Sequence, residues 1–150
     1  MDTRSLARRC TTAAATTALL LTGAFAAAPA QAQTDLRAPW TCSGGKNADS
    51  GDAGGVDVFA TCSSSGNRVS ARFNADGEHL IVCDHYPNGH STIARLTVAG
   101  NGTATYRSSG SGQCTDFNLS FDEGLSASVV VCTADTSEAL CSGRSRGGVT

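Results

Sequence analysis

Apolar and polar residues alternate with a period of two over most of the chain beyond residue 55. The segments 56–62, 69–73 and 117–121 carry apolar side chains at every second position and mostly polar ones between them. Successive side chains of a strand point to opposite faces, so this pattern is typical of antiparallel strands with one buried face. The segments 80–83 and 129–132 are apolar on both faces, which predicts strands at the centre of a sheet.

Turn-forming residues separate these strands, and further strands are predicted near 91–98 and 103–107. Asn101-Gly102 is the strongest hairpin signal, because both residues tolerate the positive φ of a type I′ turn. The sequence therefore predicts an all-β fold, namely an antiparallel immunoglobulin-like β-sandwich of seven or eight strands built as a meander of hairpins, with a small barrel as the alternative. The predicted turns lie at 74–77, 87–89, 101–102 and 122–124.

The first 32 residues have the pattern of a secretory signal peptide. Arginines at positions 4, 8 and 9 precede an apolar stretch from Ala13 to Ala28, and Ala30-Gln31-Ala32 matches a cleavage site. Thr and Gly residues dilute the apolar stretch, which argues against a membrane anchor. Cys10 precedes the stretch and is expected to leave with the leader. The sequence thus predicts a secreted, extracellular protein that starts at Gln33 and has no membrane partner after cleavage.

Six cysteines remain after cleavage, and an even number in a short exported chain predicts a disulfide framework. No Cys-x-x-Cys step occurs, so a structural zinc site is disfavoured. The segment between Cys132 and Cys141 has eight residues, many of them turn formers, which makes this pair the clearest of the three. The other two bridges are predicted to join Cys42 with Cys62 and Cys83 with Cys114.

The mature chain is weakly acidic and forms one domain by length. The leader takes three of the 11 basic and one of the 13 acidic side chains, so 118 residues with 8 basic and 12 acidic groups remain. Binding to nucleic acid depends on clustered Lys and Arg, so no nucleic-acid partner is expected. We divide the mature chain into a Gly/Ser/Asp-rich segment, 33–55, and a β-sandwich domain, 56–150, and expect a monomer.

The acids of the N-terminal segment leave a weak calcium site open near Asp49 and Asp52, with Asn47 and Asp57 as further oxygen donors. Gly51 falls between the acids and no distal Glu follows, so the hand-shaped calcium loop is not matched. A flexible acidic loop beside Cys42 is the alternative. No cofactor is predicted.

The histidines do not form a metal-binding pattern. His79 and His85 are six positions apart on one extended strand, about 20 Å from each other, and cannot share an ion. His85 and His90 flank the turn at 87–89 and could approach one another. Asp84, however, points to the opposite face from His85, so the expected number of ligands is too small.

Catalytic residues are not identified either. Ser109 and Ser111 lie in a Gly/Ser run without the spacing of a nucleophile elbow. The acids Asp57, Glu78 and Asp116 show no spacing that selects a glycosidase pair. The sequence therefore predicts a protein that is not an enzyme.

Binding is the remaining class, with two candidate surfaces. Of the seven aromatic residues after the leader, Phe73, Phe117 and Phe121 are expected in the core. The others are too few and too scattered along the sequence to define an aromatic platform for sugar rings. A small carbohydrate-binding module would nevertheless be expected to lose glycan binding on Trp40→Ala or Tyr106→Ala. The disulfide-closed loop Thr133–Leu140 instead has the form of a protease-inhibitor loop, although an ordinary hairpin end closed by a disulfide is the favoured interpretation. The remaining aromatics are Trp40, Phe59, Tyr86 and Tyr106.

Several runs along residues 56–145 resemble the small secreted disulfide-containing β-sandwich proteins of actinomycetes. The runs are 77–84, 88–91, 118–124, Val131-Cys132 and Cys141-Ser142. In such proteins strands alternate with short Asp/Asn-Gly turns, and a terminal cysteine pair joins the last hairpin. The resemblance implies export and the fold but no site residues. The expected function is contact with an extracellular protein or polysaccharide, such as cell-wall material or an environmental polymer.

Overall fold

A computed structural model describes residues 39–150 as nine strands and one turn of 3-10 helix. The predicted signal peptide, with Cys10 and its cleavage site, lies outside these residues. The elements follow in the order β1 Thr41–Ala48, β2 Val56–Ser64, β3 Asn67–Asn74, the 3-10 turn Asp76–Glu78, β4 His79–His85, β5 Ile93–Val98, β6 Gly102–Arg107, β7 Gln113–Asn118, β8 Ser126–Cys132 and β9 Ser145–Val149.

All strand pairs are antiparallel and belong to one sheet, in the order β6-β5-β8-β9-β2-β3-β4-β7, with β1 paired to β2. The sheet curls into a nearly closed barrel. The edge strands β6 and β7 approach each other through the rings of Tyr106 and Phe117, whose centroids are 5.0 Å apart. The all-β antiparallel prediction is confirmed, and the barrel agrees with the alternative left open above. The two-sheet immunoglobulin-like arrangement is not confirmed.

The predicted meander is wrong at three connections. The turn at 87–89 joins β4 to β5, residues 108–112 join β6 to β7, and the loop at 119–125 joins β7 to β8. None of these strand pairs is hydrogen-bonded in the sheet. The hairpin β5–β6 is present, but its positive φ values fall on Gly100 and Gly102 rather than on Asn101. The tight turn therefore begins before the position predicted.

The barrel core is formed by the side chains that alternation points inward. On β4, for example, Leu80 and Val82 are fully buried. Phe73 is also buried, whereas Phe117 and Phe121 are half-buried and pack against the core. The strands predicted to be central, β4 and β8, each have a partner on both sides. The largest fully buried apolar side chains are Phe73, Leu80, Leu96, Val58, Val69, Val82, Val129 and Val131.

Strand β1 lies within a segment whose sequence has no periodicity, so the barrel begins before residue 56. Gly44 and Gly45 interrupt any alternation here. A Cβ atom on Gly44 would meet the side chain of Ser145 and lie 2.7 Å from the carbonyl oxygen of Phe59. A Cβ atom on Gly45 would lie 3.0 Å from the Phe59 ring. Close packing on both sides therefore requires glycine where a strand pattern would need side chains.

All three predicted disulfides are present, and each joins residues that face each other directly on antiparallel chain segments. The Cα atoms of each pair are 4.0 Å apart. One bridge crosses β1 and β2, one crosses β4 and β7, and one joins the end of β8 to an isolated bridge residue. The bridged pairs are Cys42–Cys62, Cys83–Cys114 and Cys132–Cys141.

The carboxylate of Asp84 is fully buried where β4 ends, and it organises the connection to β5. One oxygen accepts a hydrogen bond from the backbone N–H of Tyr86 at 3.0 Å. The other accepts from the N–H of Thr92 at 3.0 Å and from the hydroxyl of Ser108 at 3.2 Å. Asp84 thus joins the end of β4, the approach to β5 and the segment after β6. A buried carboxylate needs such donors because desolvation is costly.

We predict that Asp84→Asn lowers the free energy of unfolding by about 2–3 kcal/mol, because an amide keeps the shape but places N–H groups against existing donors. Urea denaturation with the disulfides intact measures the change. Asp122→Asn is the matched control, since Asp122 is exposed and the same isosteric change should alter stability by less than about 0.5 kcal/mol. Equal stability of the two variants would contradict the role assigned to Asp84.

Candidate functional site

A groove of about 540 Å³ opens where the segment after β4 meets the loop after β8. Three chain segments build it. Trp40 comes just before β1, residues 86–90 begin the connection from β4 to β5, and residues 133–140 follow β8. Because these segments are distant in sequence, only the barrel brings them together. The wall includes Trp40, Tyr86, Asn88, His90, Glu138 and Leu140.

Two aromatic rings form one wall of this groove. The centroids of Trp40 and Tyr86 are 5.0 Å apart, with an angle of 72° between the ring planes. This edge-to-face arrangement is favourable for aromatic pairs. Both side chains are half-buried, so each is held by the barrel while part of its surface faces the groove. Tyr86 is fixed further by the hydrogen bond from its N–H to Asp84.

The loop Thr133–Leu140 forms the opposite wall and is fixed at its base. The Cys132–Cys141 bridge closes it. Inside the bridge, the N–H of Thr133 donates to the carbonyl of Leu140 at 2.9 Å, and the N–H of Leu140 donates to the Thr133 hydroxyl at 3.2 Å. The side-chain amide of Asn88 donates to the carbonyl of Thr133 at 3.2 Å, which links the two walls.

Charged side chains attach the loop to the barrel. Asp135 accepts a hydrogen bond from the guanidinium of Arg107 at 2.6 Å, and its other oxygen lies 3.3 Å from Nδ1 of His90. Arg107 ends β6, so this contact ties the loop to an edge strand. Glu138 is exposed and lines the groove. The floor and walls therefore combine aromatic surface with polar groups of both donor and acceptor type.

The four aromatic candidates separate in the structure. Trp40 and Tyr86 meet at the groove. Phe59 packs against Gly45 of β1, and Tyr106 contacts Phe117 at the seam of the barrel. Partial burial of Tyr106 raises the pKa of its hydroxyl above the ordinary value of 10.0. The sequence favours Trp40 and Tyr106 for glycan contact, but of these two only Trp40 lines the groove. Only tertiary structure distinguishes a groove from a seam.

The three histidines lie apart, each with a different neighbour. Nδ1 of His79 is 2.8 Å from a carboxylate oxygen of Asp116 on β7, and His90 contacts Asp135. His85 lies beside the Cys83–Cys114 bridge. The turn at 87–89 does not bring His85 and His90 together across a hairpin, since β4 and β5 are not paired. Within residues 39–150, His85 and this cysteine pair are the one group of three ligand-type side chains close enough to hold a metal ion.

Within residues 39–150, the acids proposed from the sequence as calcium donors do not form a group of three converging side chains, although the carboxyl groups of Asp49 and Asp57 lie close enough to interact. Asp57 is buried and turned toward the guanidinium of Arg72 and the N–H of Ala75. Asp49 accepts hydrogen bonds from the N–H of Gly51 at 2.7 Å and of Asp76 at 3.0 Å. These backbone donors lower the pKa of Asp49 below its ordinary value of 3.8. Asp49 therefore orders the loop between β1 and β2.

The candidate catalytic groups are likewise held by separate partners. Ser109 accepts a hydrogen bond from the hydroxyl of Thr115 at 3.1 Å. Glu78 accepts from the N–H of Phe121 at 2.6 Å, whereas Asp116 pairs with His79. With Asp57 engaged by Arg72, the three acids named from the sequence serve three different structural contacts. The geometry supplies no pairing among them.

Comparisons with known proteins do not identify this site. No family model matches the chain, and no curated protein or solved structure matches it either. Within the part of the chain that the structure describes, no helix has the length and apolar character needed to cross a membrane.

We predict that Asp49→Asn makes stability less sensitive to acid. Because the pKa of Asp49 is lower in the folded state than in the unfolded chain, its ionisation stabilises the fold fully above 3.8. This contribution disappears as the pH falls through the folded-state pKa. Urea midpoints at a series of acidic pH values measure the effect, and the variant should show a shallower decline. A decline in the urea midpoint as steep as that of the parent protein would refute this role of Asp49. Asp122→Asn serves as the control.

Proposed function

We propose that this protein is a secreted, non-enzymatic binding protein whose groove, bounded by Trp40, Tyr86 and the loop Thr133–Leu140, binds an extracellular polysaccharide. The proposed ligand is cell-wall material or an environmental polymer. One observation carries the proposal: two half-exposed aromatic rings, distant in sequence, meet at one groove beside a disulfide-closed loop. Aromatic rings present flat apolar surface to the C–H faces of sugars.

The rest of the groove suits the same ligand class. Glu138 lies along one wall and offers carboxylate oxygens to sugar hydroxyls. Asn88 retains one amide N–H besides the one that it donates to Thr133. Binding sites of this kind combine apolar surface with a few polar groups that fix orientation. Since the Asn88 amide and the Cys132–Cys141 bridge hold both walls in place, little conformational entropy would be lost on binding.

Two further features support the extracellular, non-catalytic assignment. Three disulfides are compatible with an extracellular protein, where such bonds persist. The acids named as catalytic candidates make separate structural contacts, which fits a role in binding rather than turnover. A monomeric state and a relation to immunoglobulin-like sandwiches remain parts of the proposal.

A protease-inhibitor role is the second candidate, favoured by one observation. Leu140 is 42% exposed beside the Cys132–Cys141 bridge, and residues 135–138 are also exposed. However, the N–H of Ala139 donates to the carbonyl of Thr136, which bends the loop into a turn. Proteases that bind substrates by strand addition need an extended segment, so the groove proposal is favoured.

We predict that Trp40→Ala and Tyr86→Ala each weaken binding to insoluble glycan by about tenfold, because each removes roughly 1.4 kcal/mol of ring contact. Co-sedimentation of the folded, disulfide-bonded protein with peptidoglycan, chitin and cellulose measures the affinity. Tyr106→Leu is the control for loss of an aromatic side chain outside the groove. Circular dichroism verifies that all variants stay folded.

The outcomes separate the proposals. Retained binding in both groove variants, or an equal loss in Tyr106→Leu, would show that the groove is not the binding surface. No sedimentation of the parent protein with any glycan would reject the polysaccharide proposal.

For the inhibitor candidate, we expect stoichiometric inhibition of a secreted protease and slow cleavage within Thr133–Leu140. Leu140→Ala should abolish the inhibition by removing the exposed apolar side chain. Residual protease activity and peptide mass mapping measure both effects. Rapid cleavage of the loop without inhibition would identify it as an ordinary substrate.

A further inference from the structure

A cluster of potential metal ligands, none of which lines the groove, lies on the outer face of the barrel. Cys83 and His85 are two positions apart on β4, so alternation points both side chains to the same face. Cys114 lies directly opposite Cys83 on β7. A ring nitrogen of His85 and both sulfur atoms lie within 4.8 Å of one another. In the oxidised protein the two sulfurs form a disulfide.

This bridge is the one in which neither cysteine is buried. Cys83 is half-buried and Cys114 is exposed. Each of the other two bridges has one buried cysteine, Cys62 at 0% and Cys132 at 1% exposure, although Cys141, the partner of Cys132, is exposed. Reduction begins with attack on a sulfur atom and therefore depends on access. A thiol or phosphine reductant should open Cys83–Cys114 before the others.

The surrounding ladder holds the two cysteines opposite each other without the bridge. Strands β4 and β7 pair from His79 with Asn118 to Asp84 with Gln113. Beyond this pairing, the N–H of Gly112 donates to the carbonyl of Asp84 at 2.6 Å. At the other end, His79 contacts Asp116. Contacts on both sides of the bridge thus keep the two Sγ atoms near His85.

We propose that, after reduction of this bridge, Cys83, Cys114 and His85 form a three-ligand site for one thiophilic divalent ion of the Zn²⁺ class. A phosphine donates two electrons to the disulfide and takes oxygen from water as its oxide, which leaves two thiols. Binding of the ion then displaces one proton from each thiol. The set of two thiolates and one imidazole leaves a fourth position for water. The proposal does not depend on the glycan groove.

A favourable charge stands next to the site. Arg68 lies directly opposite His85 on β3, and both residues are exposed. Since directly opposite residues share a face, the guanidinium is on the same side of the sheet as the sulfurs. A nearby arginine favours thiolate over thiol, which is the form that binds metal.

Cobalt(II) is the probe, because it replaces zinc and absorbs visible light. The folded protein is reduced partially with a phosphine, which is then removed under anaerobic conditions, and the free thiols are mapped by alkylation and peptide mass. We expect Cys83 and Cys114 to be the labelled residues. Titration should then give one cobalt per chain, with a thiolate charge-transfer band and the visible bands of a tetrahedral ion. Addition of Zn²⁺ should displace the cobalt and remove both the charge-transfer band and the visible bands.

Variants make the assignment specific. His85→Ala should weaken cobalt binding by about tenfold or more while the alkylation pattern stays the same. His90→Ala is the control, because it removes a histidine that contacts Asp135 and belongs neither to the cluster nor to the β4–β7 pairing. Cys83→Ser with Cys114→Ser should abolish binding. Earlier reduction of another bridge, an octahedral spectrum, loss of the β-sheet circular dichroism signal on reduction, or equal binding by His85→Ala would each overturn the proposal.

Discussion

The buried carboxylate of Asp84 is the interaction on which the arrangement of the groove depends. It accepts hydrogen bonds from three donors, two on the connection from β4 to β5 and one on the segment after β6. A polar group removed from water must find partners, so these donors have one favourable position each. Tyr86 follows two residues later, and the hydrogen bond from its N–H to Asp84 fixes the position of its backbone. Trp40 then packs on the Tyr86 ring. The groove is therefore a consequence of how one end of the barrel satisfies a buried charge.

The sequence predicts the strands and the bridges well because both depend on local pattern or on simple counting. Alternation identifies β2 and β3, and an even number of cysteines in an exported chain implies pairing. The strand predicted at 117–121 overlaps β7 only at its last two residues, and the rest of it lies in the loop that follows. Strand β1 is missed for a physical reason. Gly44 and Gly45 carry no side chains to alternate, and the need for glycine comes from Ser145 and Phe59, which are distant in sequence. A strand whose pattern is dictated by its neighbours gives little signal of its own.

Sheet order is harder to predict because a turn sequence does not say which strands it connects. Pro87-Asn88-Gly89 resembles a hairpin turn, but it carries the chain between strands that are not adjacent. The groove is equally hard to predict, because Trp40, Tyr86 and the loop Thr133–Leu140 converge only through that topology. The one local sign was Asp84, an acid on the inward face of an apolar strand. An acid there requires buried donors, and those donors lie on the connecting segments.

The disulfides and the hydrogen bonds to Asp84 stabilise the fold in different ways, because the disulfides restrict the unfolded chain. The bridges Cys42–Cys62 and Cys132–Cys141 span 20 and 9 positions of sequence, whereas Cys83–Cys114 spans 31. By the chain-entropy argument, the 31-position bridge contributes about 1 kcal/mol more than the 9-position bridge. It also encloses β5 and β6, which pair with neither β4 nor β7. A metal ion held by the same two sulfurs would close the same loop as the disulfide. Binding of the ion and stability of the reduced barrel are then coupled, so the ion would restore part of the constraint that reduction removes.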